Sequence, residues 1–242
     1  MCGRFAVTLP PEAVRQFFRY IEQPNFPPRY NIAPTQPVPI VRGERDSSGQ
    51  IIRHFALVRW GFLPSFVKDP KPFPLIFNAR CESLLTKASF KNAMRRRRCL
   101  FIADAFYEWR REAKGKAGRP FLFRRRDRAP LGLGGLWETW IGPNGEEVDT
   151  GCIITTPANG ATAAIHERLP AILEPERFDL WLEQDETKAD EAFVLLRPPH
   201  NDVLEFFEIG AGVNKADNDG PEIQEPVEVK PLKKMPVQGR LF

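Results

Sequence analysis

The 242-residue sequence has no apolar run long enough to cross a bilayer, and its first residues lack the basic stretch and hydrophobic segment of a secretory signal. Both absences point to a cytoplasmic protein without a membrane partner. Cysteine and histidine are scarce. Cys2, Cys81, Cys99 and Cys152 form no C-x-x-C pair, and His54, His166 and His200 are just as scattered. Zinc and disulfide frameworks are therefore disfavoured, and neither a metal nor a cofactor is expected. Aperiodic, proline-rich and charged sequence beyond Pro221 suggests a single domain over residues 1–221 with a flexible tail over residues 222–242.

Charge is abundant but segregated. The net charge is only +4, yet residues 80–128 hold sixteen Lys/Arg against five Asp/Glu, an excess of eleven, so the rest of the chain carries seven net negative charges. Such a block can attract a polyanion, because cations near phosphates release condensed counterions. The plainer alternative is a solvated helix face and a charged hairpin.

The chain begins Met1-Cys2-Gly3-Arg4. Small residues after the initiator favour its removal, which would leave Cys2 with a thiol and a free α-amine on adjacent carbons. An α-amine titrates near ~8 and a thiol near ~8.5, so each is a usable nucleophile at neutral pH. An aldehyde meeting the pair can form a Schiff base at nitrogen and be closed by sulfur into a thiazolidine ring. The bland alternative is an ordinary start followed by a small residue.

Periodicity places the remaining elements. Residues 5–8 read as a strand, and Pro10-Pro11 opens a helix whose stripe is Val14, Phe17, Phe18 and Ile21. The prolines between 24 and 39 suggest a surface loop, followed by a strand over 51–58 that leads to a core Trp60. A helix is expected from Glu82 towards Met94, and then the strand 99–102. In the segment 104–109, strand alternation places Phe106 and Glu108 on one face and Tyr107 and Trp109 on the other. A carboxylate buried among aromatics would have a raised pKa and suit proton transfer, although a paired structural carboxylate is the commoner case. Turns at 114–118 and 143–145 suggest a continuous antiparallel meander through residue 156, with later helices at 175–182 and 189–196 and a last strand at 203–209. His166 lies in a short segment beside Arg168 and Pro170, a fixed loop in which proton transfer is conceivable.

Seven blocks then occur in the order seen in SRAP domain proteins. They are Cys2-Gly3-Arg4-Phe5, Tyr30-Asn31-Ile32-Ala33-Pro34, Arg59-Trp60-Gly61-Phe62-Leu63-Pro64, Asn78-Ala79-Arg80-Cys81-Glu82, Ala103 to Trp109, Thr155-Thr156 and His166 to Pro170. The chain resembles that family from Cys2 to about Pro221. The resemblance implies an α+β fold, a single SRAP-type domain with a largely antiparallel, barrel-like β-sheet and peripheral helices. It also implies an abasic-site sensor that binds single-stranded DNA, traps the lesion covalently through the N-terminal cysteine, shields it at replication forks, and removes its own Met1 in a peptidase-like step. Carried over by motif, Cys2 is the nucleophile, Asn78 positions its amine, Glu108 serves the acid/base steps, and His166 assists sugar opening. Arg4, Arg80 and Arg168 would hold phosphates, and Trp109 would stack on a base. Ala105 and Leu169 stand where many members have glycine and methionine, mild changes that leave the chemistry intact.

The last five residues, Gln238-Gly239-Arg240-Leu241-Phe242, resemble the Q-x-x-L-F peptides that dock on a bacterial sliding clamp, with Gln238 setting register and Leu241 and Phe242 filling a pocket. The expected partners are thus abasic single-stranded DNA and a sliding clamp, met by a monomer. Two other readings stay open. One is a non-covalent single-strand binding module in which Cys2 is incidental. The other is an N-terminal-cysteine amidotransferase, whose early Asn-Gly oxyanion turn and glutamine-binding arginine motif are not found here.

Overall fold

Short apolar runs separated by proline and glycine dictate a strand-rich chain, and the computed structural model describes residues 2–112 and 118–227. In chain order the elements are β1 (Arg4–Val7), α1 (Pro11–Phe18), β2 (Arg29–Ile32), β3 (Pro37–Arg45), β4 (Ile51–Trp60), β5 (Asn78–Arg80), α2 (Ala88–Arg96), β6 (Arg98–Ala103), β7 (Ala105–Arg110), β8 (Arg119–Arg125), β9 (Leu131–Ile141), β10 (Glu147–Pro157), β11 (Arg168–Pro170), β12 (Ile172–Leu173), α3 (Phe178–Leu182), α4 (Ala189–Phe193) and β13 (Leu204–Glu208). Strands β10, β4, β3, β6 and β9 close on themselves through the β9–β10 pair, forming a barrel. Strands β11, β12 and β5 add to its margins. A second sheet runs β13-β8-β7-β1-β2. Pairing is mostly antiparallel, with β10 parallel to β4 and to β5. The architecture is α+β, and the helices are short and peripheral. Among the described residues no helix is long and apolar enough to cross a membrane.

The main core joins the two sheets. Phe5, Phe106 and Phe123 of the second sheet share one buried cluster with Ile40, Phe101 and Ile153 of the barrel. Trp60 is fully buried, meets the Phe5 ring edge-on at 5.0 Å and donates from Nε1 to the Phe77 carbonyl at 2.9 Å, so it is core. The opposite face of the second sheet buries Ala6, Tyr107, Leu122, Val213 and Ile223 in a smaller cluster. The alternation expected in β7 holds, with Phe106 in the first cluster and Tyr107 in the second.

Several expectations are corrected. The proline-rich stretch 24–39 contains β2 and the first three residues of β3. Pro39 fits within β3 because β6 starts pairing only at Ile40, so the missing N–H leaves no bond unmade on that side. The helix expected from Glu82 is a 3₁₀ turn (Cys81–Ser83), with α2 starting at Ala88. Ile21 lies beyond the left-handed Arg19 that ends α1 and is exposed. The meander is interrupted, since β8 pairs with β7 and β13 whereas β9 pairs with β6. The packed chain also continues past Pro221, where Ile223 is buried and the Val227 N–H donates to Glu208 O at 2.9 Å. The turn expected at 114–118 falls mostly outside the described residues, though its flanks pair from Ala105–Arg124 to Arg110–Arg119. Met1 and the segment Gln238 to Phe242 also lie outside them.

Candidate active site

The register of β1 decides where Cys2 sits. Arg4 pairs with Tyr107 and Phe5 with Phe106, which carries the chain start alongside the end of β7 that holds Glu108. Cys2 is fully buried. From the barrel side, β5 runs parallel to β10 with Asn78 opposite Ile153, and Asn78 Nδ2 donates to the Cys2 carbonyl at 2.8 Å. The other amide atom, Asn78 Oδ1, is buried with no hydrogen-bond partner among the described residues. His166 arrives on the turn before β11, and its Nε2 lies 3.8 Å from Glu108 Oε2. Cys2, Asn78, Glu108 and His166 therefore occupy one place where the second sheet meets the barrel margin.

Burial sets the electrostatics here. Removal from water pushes the Glu108 carboxyl up to about 7, so it exchanges protons near neutrality. Burial, reinforced by the negative charge of Glu108, pushes the Cys2 thiol well above the usual thiol range, so it rests protonated. Burial lowers the pKa of His166, which favours the neutral ring. His166 Nδ1 lies 3.0 Å from the Arg168 backbone nitrogen and 3.1 Å from the Arg168 carbonyl oxygen, contacts that orient the ring with Nε2 turned towards Glu108.

The expected DNA-contacting residues are engaged in different ways. Arg4 Nη1 donates to Asn31 Oδ1 at 2.8 Å and Nη2 to Asn214 O at 3.2 Å, while Trp109 Nε1 donates to Asn214 Oδ1 at 2.7 Å. Arg4 and Trp109 thus meet through Asn214. Arg80 is exposed on β5. Arg168 is buried, with its guanidinium forked onto Glu82 at 2.6 and 3.0 Å and donating to the Thr155 carbonyl at 2.6 Å. That pairing holds the Glu82 carboxyl down at about 2. Among the described residues no group of three or more His, Cys, Asp or Glu is arranged to hold a metal ion.

The family profile described as SOS response associated peptidase (SRAP) matches residues 1–216. The chain belongs to the SRAP family. The "Abasic site processing protein YoqW" of Bacillus subtilis (strain 168) is 32% identical over 228 residues, spanning 93% of this chain and 99% of that protein. The "Abasic site processing protein HMCES" of Gallus gallus is 30% identical over 269 aligned residues, spanning 95% of this chain and 79% of that protein. A crystal structure of a Bacteroides thetaiotaomicron protein shares the fold with a TM-score of 0.77 at 23% identity, covering 94% of this chain and all of that one. A Bordetella bronchiseptica protein superimposes with a TM-score of 0.73 at 25% identity.

Within this SRAP chain, three residues near the site escaped the sequence reading as individuals. Asn31 is fully buried and donates from Nδ2 to the carbonyls of Val213, Lys215 and Asn218 while accepting from Arg4. Asp219 accepts from the backbone N–H groups of Tyr30 and Asn31 at 2.5 and 2.7 Å and pairs with Arg29. Glu82 neutralises Arg168. Asn31 and Glu82 each sit inside an SRAP sequence block, which was their only available signal.

Proposed function

We propose that this SRAP protein processes abasic sites in single-stranded DNA, becoming covalently joined to the ring-opened sugar through Cys2 once Met1 has been removed. The observation that carries the reading is the convergence on Cys2 of Asn78, which is 76 positions away in sequence, together with Glu108 and the His166 beside it. The relatives named abasic site processing proteins support the choice of substrate.

An opened abasic sugar carries an aldehyde at C1′. Glu108, titrating near neutrality, is suited to donate a proton to the ring oxygen as the sugar opens and to take protons in later steps, with His166 Nε2 alongside. Because the thiol rests protonated, the freed α-amine attacks first. Nitrogen bonds to C1′, one water leaves, and an imine forms. Sulfur then adds to the imine carbon while its proton passes to nitrogen, closing the thiazolidine. Asn78 holds the Cys2 carbonyl, and its buried Oδ1 would accept an N–H of the bared amine. Retained Met1 would acylate that nitrogen and prevent the reaction. Exposed Arg80, with Trp109 and Arg4 near Asn214, would meet the strand on either side of the lesion without reading its sequence.

The test is a denaturing gel after incubation with a single strand carrying one abasic site. A shifted band is expected with the wild type and none with Cys2→Ala. A band that persists with Cys2→Ala excludes Cys2 as the point of attachment. Binding without any covalent band would make the protein a non-covalent single-strand binding module.

A further inference from the structure

Beside the site lies a small cavity that the chemistry above does not use. Its volume is about 170 Å³, and Arg110, Arg111, His166 and Glu167 line it together with the apolar Ala163 to Ile165. Two rows of residues build it. Alternation along β7 puts Arg110 on the same face as Glu108, one strand repeat of about 7 Å further along. The turn carrying His166 forms the opposite wall. The volume falls below the ~300–1,000 Å³ of pockets that enclose whole small molecules, but it suits a single tetrahedral anion.

Its cations differ in how they are engaged. Arg110 is half-buried, lies over the Phe121 ring at 5.6 Å and meets Glu112 at 3.4 Å through one nitrogen. Arg111 is exposed and makes no ion pair among the described residues. Across the cavity the charges of Glu167 and Arg111 act on His166 in opposite directions, with burial the largest influence on that ring. Glu167 is the only acid on the lining and is itself exposed, while Glu112 is shared between Arg110 and Arg119, the latter at 3.7 Å. Among the described residues the balance of the lining is positive, and one arginine is uncommitted.

We propose that Arg111, supported by Arg110, seats a phosphodiester of the DNA strand flanking the abasic nucleotide and so fixes the sugar against Glu108 and His166. This rests on the reading of the site as an abasic-site centre. Arg111 is a positioning residue here, since it holds the strand and leaves the reacting atoms to Cys2 and Glu108. A planar fork aimed at one phosphate would fix register along the strand without reading bases.

The test separates this seat from the covalent chemistry by using a single strand with a tetrahydrofuran abasic analogue, which has no aldehyde. Its Kd is measured from 50 to 300 mM salt for wild type, Arg111→Gln, Arg111→Lys and the Arg110→Gln/Arg111→Gln double variant. Arg111→Gln should weaken binding several-fold at low salt and flatten the slope of log Kd against log salt by about 0.7, the value for one lost contact on a single strand. Arg111→Lys should keep most of the slope, and the double variant should lose more. An unchanged slope in both Gln variants, or no binding of the analogue by wild type, overturns the proposal. Failure of the site reading would appear separately, as normal binding of the analogue with no covalent band on a natural abasic strand.

Discussion

Glu108 sits almost wholly out of water against the main core, and its protonation state has two measurable consequences. As a proton carrier it should matter to rate, so Glu108→Gln should slow covalent capture by roughly 10²–10⁴-fold. Stability gives an independent readout. The carboxyl is raised from 4.5 to about 7, so folding favours its protonated form. That contribution is complete below pH 4.5 and disappears as pH rises through 7. Above pH 7 the buried carboxylate burdens the fold by on the order of 3 kcal/mol. Glu108→Gln removes the ionisation, so the melting temperature of the variant minus that of wild type should be larger at pH 8.5 than at pH 5. A difference that does not change with pH would contradict the raised pKa. Much of this was legible at the level of single residues. Alternation in 104–109 put Glu108 on the same face as Phe106, and the bare Met-Cys-Gly start singled out Cys2. The burial of Arg168 on Glu82 was not legible, because it depends on β11 lying beside β10, a pairing that no local pattern encodes.

The barrel is held closed by β9, which bonds to β6 on one edge and to β10 on the other. Gly135 lies at that junction, paired to Cys99 and to Ile153. A Cβ there would fall 2.5 Å from the Phe101 ring and 3.0 Å from the Cys152 carbonyl. Neither neighbour can yield, as one is a core aromatic and the other is backbone. Gly135→Ala should therefore destabilise the protein by about 1–3 kcal/mol, lowering the melting temperature by several degrees. Gly210→Ala is the matched control, with nothing within 4 Å of the added methyl, and it should change little. Equal melting temperatures for the two variants would show that the closure tolerates widening. The expected turn at 143–145 marks where β9 ends, at Ile141. Barrel closure was hidden. Residues 105–125 leave the barrel to form β7 and β8 of the other sheet, so strands adjacent in sequence are not adjacent in space. Proline content also misled at 24–39, since proline is tolerated wherever the partner strand is missing on its N–H side.

Across the whole molecule the charge segregation is largely resolved by ion pairs with the acidic remainder. Arg96 pairs with Glu186, Arg97 with Glu138, Arg119 with Glu208, Arg124 with Glu205 and Arg125 with Glu174. Arg98 is fully buried, donating to the carbonyls of Met94, Arg95 and Trp181. Among the described residues, several of the cations in 80–128 therefore link elements together, and the cations left for a nucleic acid are fewer than the sequence count suggests. Long-range steering should accordingly be modest, and capture should depend on the buried site at the chain start. The intact mass of the product with a single abasic strand tests that dependence most directly. The account predicts a species weighing the protein without Met1 plus the strand, minus one water. An adduct that retains the methionine, an adduct with no loss of water, or unmodified protein alone would contradict it.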